Sequence, residues 1–98
     1  MNTINTLKAL ANAKRFQILE YLKEPKLHFS SNQCDVVEDG ICVGLIEEKI
    51  GLSQSTVSHY LSQMEKAGLI TMERHGQWTY CKRNEIAIQD LIKTLEKL

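Results

Sequence analysis

The sequence lacks the features that mark membrane, exported and disulfide-bonded proteins. It has no run of 18 apolar residues, which excludes a membrane-spanning helix. Residues 1–5 lack the basic and apolar segments of a signal peptide, so we expect a cytoplasmic protein with no membrane partner. The three cysteines, an odd number without an export signal, indicate free thiols and not a disulfide framework.

The residues that most catalytic sites require are also missing. The chain has no glycine-rich phosphate-binding loop, no pair of carboxylates placed for acid–base catalysis and no nucleophile with a suitable base. Its three histidines, His28, His59 and His75, fall in a predicted loop, a predicted helix and a predicted hairpin. We therefore expect neither an enzyme nor a bound cofactor.

Charge of one sign is not in excess. Twelve basic and twelve acidic residues give a formal net charge of zero, so the chain lacks the overall positive charge of many nucleic-acid-binding domains. The charges are nevertheless segregated along the sequence. Residues 35–48 contain five acids and no base, whereas residues 66–83 contain four bases and one acid. A positive field is therefore predicted over residues 66–83.

At 98 residues the chain is long enough for one hydrophobic core and too short for two, so we predict one domain over 1–98. Hydrophobic periodicity predicts helices over 3–11, 13–24, 41–50, 53–68 and 85–98, and a β-hairpin with strands over 69–74 and 78–82. Pro25 is expected to end the second helix, and an irregular acidic loop is predicted at about 25–40. The predicted fold class is mostly α with a β-hairpin, in the order ααααββα.

The predicted helix over 53–68 has an unusual polar face. Val57, Leu61 and Met64 form its buried stripe, and its exposed face carries almost wholly short hydroxyl and amide groups and one imidazole, where ordinary solvated helices carry Lys and Glu. Glutamine can pair with adenine through two hydrogen bonds, and Ser and Thr can bond bases or phosphates. These groups favour base reading, with a merely solvated face as the alternative. The candidate residues are Gln54, Ser55, Thr56, Ser58, His59, Ser62 and Gln63.

The setting of this helix indicates a DNA-binding motif. Gly51 separates it from the preceding helix, Ser53 is suited to cap its start, and Gly68 is suited to end it. Two helices joined by a short glycine turn form a helix-turn-helix, and a hairpin that follows makes it a winged helix. In such a fold, basic and polar side chains outside the helix are expected to contact phosphates or the minor groove. These are Lys14, Arg15, Arg74, His75, Gln77 and Lys82.

Four segments of the chain, residues 10–19, 52–61, 67–70 and 76–80, resemble the ArsR/SmtB family of bacterial repressors. The resemblance covers nearly the whole chain except the loop at 26–40. It implies a homodimer that pairs through the first and last helices, binds a palindromic operator in double-stranded DNA and is released by a chemical signal. The apolar residues implied in the dimer interface are Ile4, Leu7, Leu10, Ile88, Leu91, Ile92 and Leu95.

The metal sites known in that family are mostly missing from this sequence. Where arsenic-sensing relatives carry a Cys-x-Cys pair at the start of the third helix, this chain has Cys42 followed by Gly44. The last helix also contains none of the histidines that zinc-sensing relatives require, so no metal site is predicted. One hypothesis for the signal is a thiol switch between Cys34 and Cys42, since a thiol near a helix N-terminus has a lowered pKa. The alternative is that Cys42 is a core residue and Cys34 an incidental surface thiol.

A further hypothesis for the sensor is a mixed site of the two thiols with His28 and Asp35. Cys81, in the second strand of the hairpin, is expected to be a packing residue and not a sensor. The function predicted from the sequence is a homodimeric DNA-binding repressor. The alternatives are a winged-helix module for protein interaction and a DNA-binding regulator with no sensing site of its own.

Overall fold

The structure is a computed structural model, and it describes residues 2–30, 36 and 38–98. The helices are α1 (Thr3–Leu10), α2 (Ala13–Lys23), α3 (Pro25–His28), α4 (Val43–Ile50), α5 (Gln54–Lys66) and α6 (Glu85–Glu96), and the strands are β1 (Ile41–Cys42), β2 (Ile70–His75) and β3 (Trp78–Arg83). Helices α4 and α5 form the helix-turn-helix, and β2 and β3 form the wing. The predicted fold class, a mostly helical winged helix-turn-helix, is confirmed.

Polar side chains determine where four of the helices begin. Asn2, Asn12, Ser53 and Asn84 each accept a hydrogen bond from a backbone N–H in the first turn of α1, α2, α5 and α6, respectively. Such caps stabilise a helix by about 1 kcal/mol each, because they satisfy donors that have no partner inside the helix. Ser53 and Asn84 were predicted caps, and both predictions are confirmed.

Two short elements are absent from the order predicted from the sequence. Pro25 begins the helix α3, because proline is favoured at the first helical position, so part of the predicted loop at 25–40 is helical. Residues 41 and 42 are not the start of a helix. Ile41 and Cys42 instead pair with Cys81 and Tyr80 in an antiparallel strand, and α4 begins only at Val43. The sheet therefore has three strands in the order β1-β3-β2.

The hydrophobic core lies under α5. Val57, Leu61 and Met64 are each fully buried, as the sequence pattern predicted. Contacts from α1, α2, α4 and β2 surround this stripe. Because α5 is packed on so many elements, its polar face is held in one orientation toward solvent. In the part of the chain that the structure describes, no helix has the length and apolarity needed to cross a membrane.

Gly51 makes the turn between α4 and α5. It adopts a φ of +74°, and its N–H donates to the Glu47 carbonyl at 3.0 Å. This left-handed conformation is accessible to glycine at little cost and strained for other residues. The turn therefore directs the start of α5 away from α4, which is the arrangement a helix-turn-helix needs.

Candidate nucleic-acid interface

The first turn of α5 is organised by a hydroxyl cluster. The Ser53 hydroxyl donates to Thr56 Oγ1 at 2.8 Å and accepts from the Thr56 N–H at 3.3 Å, and Ser55 Oγ lies 3.4 Å from it. Thr56 is half-buried, so its hydroxyl supports the start of the helix. The prediction that Thr56 reads bases stays untested, but the structure gives this side chain a partner within the cap.

Most of the remaining predicted face of α5 is open to solvent. The exposed members are Gln54, Ser55, Ser58 and His59, and Ser62 is half-buried. The side chains of Gln54, Ser58, His59 and Ser62 form no hydrogen bond with any described residue. Their donors and acceptors are therefore available to an external partner. A helix N-terminus with free amide and hydroxyl groups is what a base-reading helix presents to the major groove.

One edge of α5 is held by Arg15, which the sequence assigned to DNA contact. Its Nε donates to the Ala9 carbonyl at 2.6 Å, and its two terminal nitrogens donate to the Lys8 carbonyl at 3.2 Å and to Gln63 Oε1 at 3.0 Å. The guanidinium also lies 5.4 Å from the ring centre of Tyr60. Arg15 thus completes the C-terminal end of α1 and attaches it to α5. Gln63, which was predicted to read bases, uses its Oε1 to accept this bond from Arg15 within the protein.

Replacing Arg15 by lysine is expected to lower the free energy of unfolding by about 1–3 kcal/mol. Lysine keeps the charge, but one ammonium group cannot reproduce the planar fork that serves three acceptors on two helices. Chemical denaturation of the wild type and Arg15→Lys measures the difference. Lys14→Ala is the matched control, since Lys14 is an exposed neighbour without a side-chain hydrogen bond, and should change stability by less than about 0.5 kcal/mol. Equal stability of Arg15→Lys and the wild type would refute the structural role.

The tip of the wing presents three of the predicted residues. Arg74, His75 and Gln77 are exposed, Arg74 Nε donates to the Gly76 carbonyl at 3.0 Å, and His75 Nε2 lies 3.2 Å from Glu73 Oε1. Exposed contacts of this kind contribute little to stability, so these side chains can exchange partners with DNA. Lys82 lies at the other end of the wing. Its Nζ donates to the Glu38 carbonyl at 2.8 Å, so the structure directs it to the loop and not to the wing tip.

The predicted dimer residues divide into two groups. Ile4, Ile92 and Leu95 are exposed, and Leu7 and Leu10 are half-buried, so these five have surface available to a second chain. Ile88 and Leu91 are already buried within one protomer and have little surface left for a second chain, and their role in the interface stays a prediction. Leu98, after the end of α6, is also exposed, whereas the exposed Ile86 lies on the face of α6 opposite Leu95.

The cysteines are described only in part. Cys34 and Asp35 lie outside the described residues, so the predicted approach of Cys34 to Cys42 stays a prediction. Cys42 is buried at the start of α4, and His28 packs its ring 4.6 Å from that of Tyr21. Within the described residues, no group of three or more His, Cys, Asp or Glu side chains is arranged to hold a metal ion.

The Cys81 thiol is fully buried, as expected for a packing residue. Burial, with a smaller contribution from the charge of Glu65, raises its pKa from the ordinary value of 9.0 to about 12. A thiol with so high a pKa holds almost no thiolate at neutral pH, and the thiolate is the reactive form. This environment suits a packing residue better than a thiol sensor.

This pKa makes stability depend on pH above 9. In the unfolded chain the thiol loses its proton near pH 9, whereas in the folded chain it keeps the proton to about pH 12. The stabilisation is therefore present below pH 9 and is lost as pH rises, by at most about 1.4 kcal/mol per pH unit. From pH 8 to pH 10.5 we expect the wild type to lose about 2 kcal/mol more than Cys81→Ser, whose hydroxyl does not titrate there. Denaturation curves at both pH values test this, and parallel losses would contradict it.

Comparison with known proteins gives consistent matches. The family model for "Bacterial regulatory protein, arsR family" matches residues 38–72. The uncharacterized HTH-type transcriptional regulator YbzH of Bacillus subtilis is 46% identical over 98 residues, with 96% of this chain and 98% of that protein covered. ArsR2 of Halobacterium salinarum, provisionally named an arsenical resistance operon repressor, is 32% identical over 95 residues, with 97% of this chain and 69% of that protein covered.

The fold is also found among solved structures. The homodimeric winged helix-turn-helix DNA-binding domain of Mb0332 from Mycobacterium bovis matches 95% of this chain and 73% of that chain. The TM-score is 0.67 at 24% sequence identity. At this identity the likeness establishes the fold alone. The match therefore shows that the chain has the fold of a winged helix-turn-helix domain.

Proposed function

The chain belongs to the ArsR family of bacterial DNA-binding transcriptional regulators, and we infer from this premise that it acts as a homodimeric repressor. Each protomer inserts α5 into the major groove of a palindromic operator, and the wing contacts the neighbouring backbone. Members of this family are regulators and not enzymes, in agreement with the sequence-based expectation.

One observation carries the proposal. The start of α5 exposes Gln54, Ser58 and His59, whose side chains have no hydrogen-bond partner among the described residues. An amide can form two hydrogen bonds with adenine, and each good pair of this kind discriminates against a wrong base by about 1–3 kcal/mol. The core stripe on the opposite side of α5 keeps this face outward. The core contacts therefore fix the orientation of α5, and these three side chains are free to bond with bases.

A second copy of the chain is the proposed dimer partner. Ile4 on α1 and Ile92 and Leu95 on α6 are large apolar side chains left exposed in the single protomer. Pairing of these two helices across a two-fold axis would remove them from water and place two recognition helices about 34–36 Å apart. The homodimeric state of the Mycobacterium bovis domain, which shares the fold, supports this arrangement.

There are two candidate explanations for how DNA is released. In the first, oxidation joins Cys34 and Cys42 and displaces α4, the helix that precedes α5. In the second, the chain has no sensing site of its own, and the burial of Cys42 favours this candidate, because a buried thiol reacts slowly. Operator affinity after peroxide treatment separates them: it falls in the wild type but not in Cys42→Ser under the first, and is unchanged in both under the second.

The function is tested by selection of bound duplexes from a random-sequence DNA library. A homodimeric regulator should select two inverted half-sites with centres about 10–10.5 base pairs apart, or a multiple of that spacing. Binding of the selected duplex should also weaken steeply with salt. A winged helix used only for protein interaction would enrich no sequence, and this result would overturn the proposal.

A further inference from the structure

A cleft beside the C-terminal half of α5 is lined by bases without a single acid. It has a volume of about 320 Å³, and its walls come from α1, the start of α2 and the end of α5. Its polar lining residues are Asn5, Lys8, Arg15, Gln63 and Lys66. We call this site the basic cleft. Its charge contrasts with the zero net charge of the chain.

Among the described residues, no ion pair neutralises the positive charge of the basic cleft. Residues 2–19 contain three bases and no acid. Lys8 and Lys66 are exposed, and neither takes part in an ion pair or a side-chain hydrogen bond with any described residue. Arg15 uses three of its five N–H groups in bonds within the described residues. The cleft thus combines three cationic side chains that still have free donors.

Lys66, in the wall of the basic cleft, lies on the side of α5 that faces away from the core. With 3.6 residues per turn, Lys66 lies within about 20° of both Ser55 and His59 around the helix axis. Val57 and Leu61, which are fully buried, lie on the opposite side of the helix. Lys66 therefore continues the proposed base-reading stripe at its C-terminal end, where no residue was assigned from the sequence.

The two walls of the basic cleft are held at a fixed separation. Arg15 bonds α1 to Gln63 of α5, as described above. The buried Thr6 hydroxyl lies 3.0 Å from the Ala67 carbonyl, at the end of α5, and 3.0 Å from the Asn2 carbonyl. These links connect the proposed dimerisation helix to the recognition helix at two points. A ligand can therefore contact the charged side chains of the cleft without a rearrangement of α1 relative to α5.

We propose that the basic cleft of each protomer binds one phosphodiester group of the DNA backbone, with Lys8 and Lys66 as its direct contacts and Arg15 as the charge behind them. This deepens the proposed function and rests on it, because the ligand is the backbone of the same duplex that α5 reads. The contacts carry no base information, and they set the depth and register of α5 in the groove.

Salt dependence of binding tests the proposal. The probe is a duplex of about 30 base pairs selected by the wild type, and the variants are Lys8→Ala, Lys66→Ala, their combination and Lys26→Ala. A dimer has two basic clefts with one phosphate each, so the double variant Lys8→Ala/Lys66→Ala should decrease the slope of log affinity against log salt by about 1.8, and each single alanine should decrease it by a part of this. Raising salt from 50 to 200 mM would then weaken the wild type about 12-fold more than the double variant. Lys26 lies beyond the far end of α2, and Lys26→Ala should keep the wild-type slope.

Two further readings keep the outcome unambiguous. The affinity ratio between the selected duplex and a scrambled duplex should be the same in Lys66→Ala and the wild type, since phosphate contacts are blind to sequence. Lys66→Arg should restore the wild-type slope, which shows that charge and not helix stability is responsible. Cleft variants with the wild-type slope would overturn this proposal while leaving the proposed function intact. A wild type that selects no duplex would overturn both.

Discussion

Replacing Gln54 and Ser58 together by alanine is expected to weaken binding of the selected duplex about 1,000-fold, while binding of random-sequence DNA stays close to that of the wild type. Both side chains are exposed near the start of α5 and form no hydrogen bond with any described residue, so their removal leaves no internal partner unsatisfied. A symmetric dimer loses four base contacts at about 1 kcal/mol or more each, and about 1.4 kcal/mol corresponds to a factor of ten.

The measurement is an anisotropy titration of the selected and the scrambled duplex with wild type and variant. Thr71→Ala is the control, because Thr71 is an exposed hydroxyl on β2 that lies opposite Lys82 and away from the wing tip. It should leave both affinities within about twofold. If the double variant lost affinity for both duplexes equally, α5 would be contacting the backbone, and its assignment as the base-reading helix would be wrong.

Replacing Gly40 by alanine is expected to lower the free energy of unfolding by about 2–5 kcal/mol. Gly40 has a φ of +93°, and an added Cβ would lie 2.6 Å from Lys82 Cγ and 2.8 Å from the Cys81 carbonyl oxygen. The lysine side chain can move aside, but the carbonyl oxygen belongs to β3, which is paired on both sides by β1 and β2. The close approach therefore combines left-handed strain with a clash against backbone that cannot yield.

Gly51→Ala is the matched control for this substitution. Gly51 also has a positive φ, +74°, but an added Cβ would meet nothing within 4 Å. Only the conformational part remains there, and we expect a loss of about 1 kcal/mol. Denaturant unfolding of both variants isolates the contribution of the clash. Equal losses of stability in the two variants would show that a Cβ at position 40 does not clash with the backbone of β3.

Local signals in the sequence were sufficient for most of the helix-turn-helix. Ser53 as a cap, the buried stripe of Val57, Leu61 and Met64, and Asn84 at the start of α6 depend on residues within one or two turns of each other. Such features follow from backbone donors that need a partner and from the 3.6-residue period of a helix. The exposure of Gln54, Ser58 and His59 followed from the same period.

The errors arose where distant segments meet. The pattern of Ile41 and Leu45 suits a helix, and only pairing with β3 makes residues 41 and 42 a strand. Arg15 and Lys14 are adjacent and similarly basic, yet only Arg15 reaches acceptors on α1 and α5. Composition cannot distinguish such neighbours, because the difference is the direction in which each side chain leaves the helix.

The sequence by itself determined most of the helices, the caps at Ser53 and Asn84 and the chemistry of the reading face, since these depend on local hydrogen bonding and hydrophobic period. The tertiary structure alone decided which polar groups are free and which are bonded inside the protein. In the tertiary structure the Gln54 side chain has no hydrogen-bond partner among the described residues, whereas Gln63 accepts a bond from Arg15. Lys82 donates to the Glu38 carbonyl in the loop. The tertiary structure also brought Lys8 and Lys66, which are 58 residues apart in the sequence, to one basic cleft, because the packing of α1 on α5 joins segments that no local pattern connects.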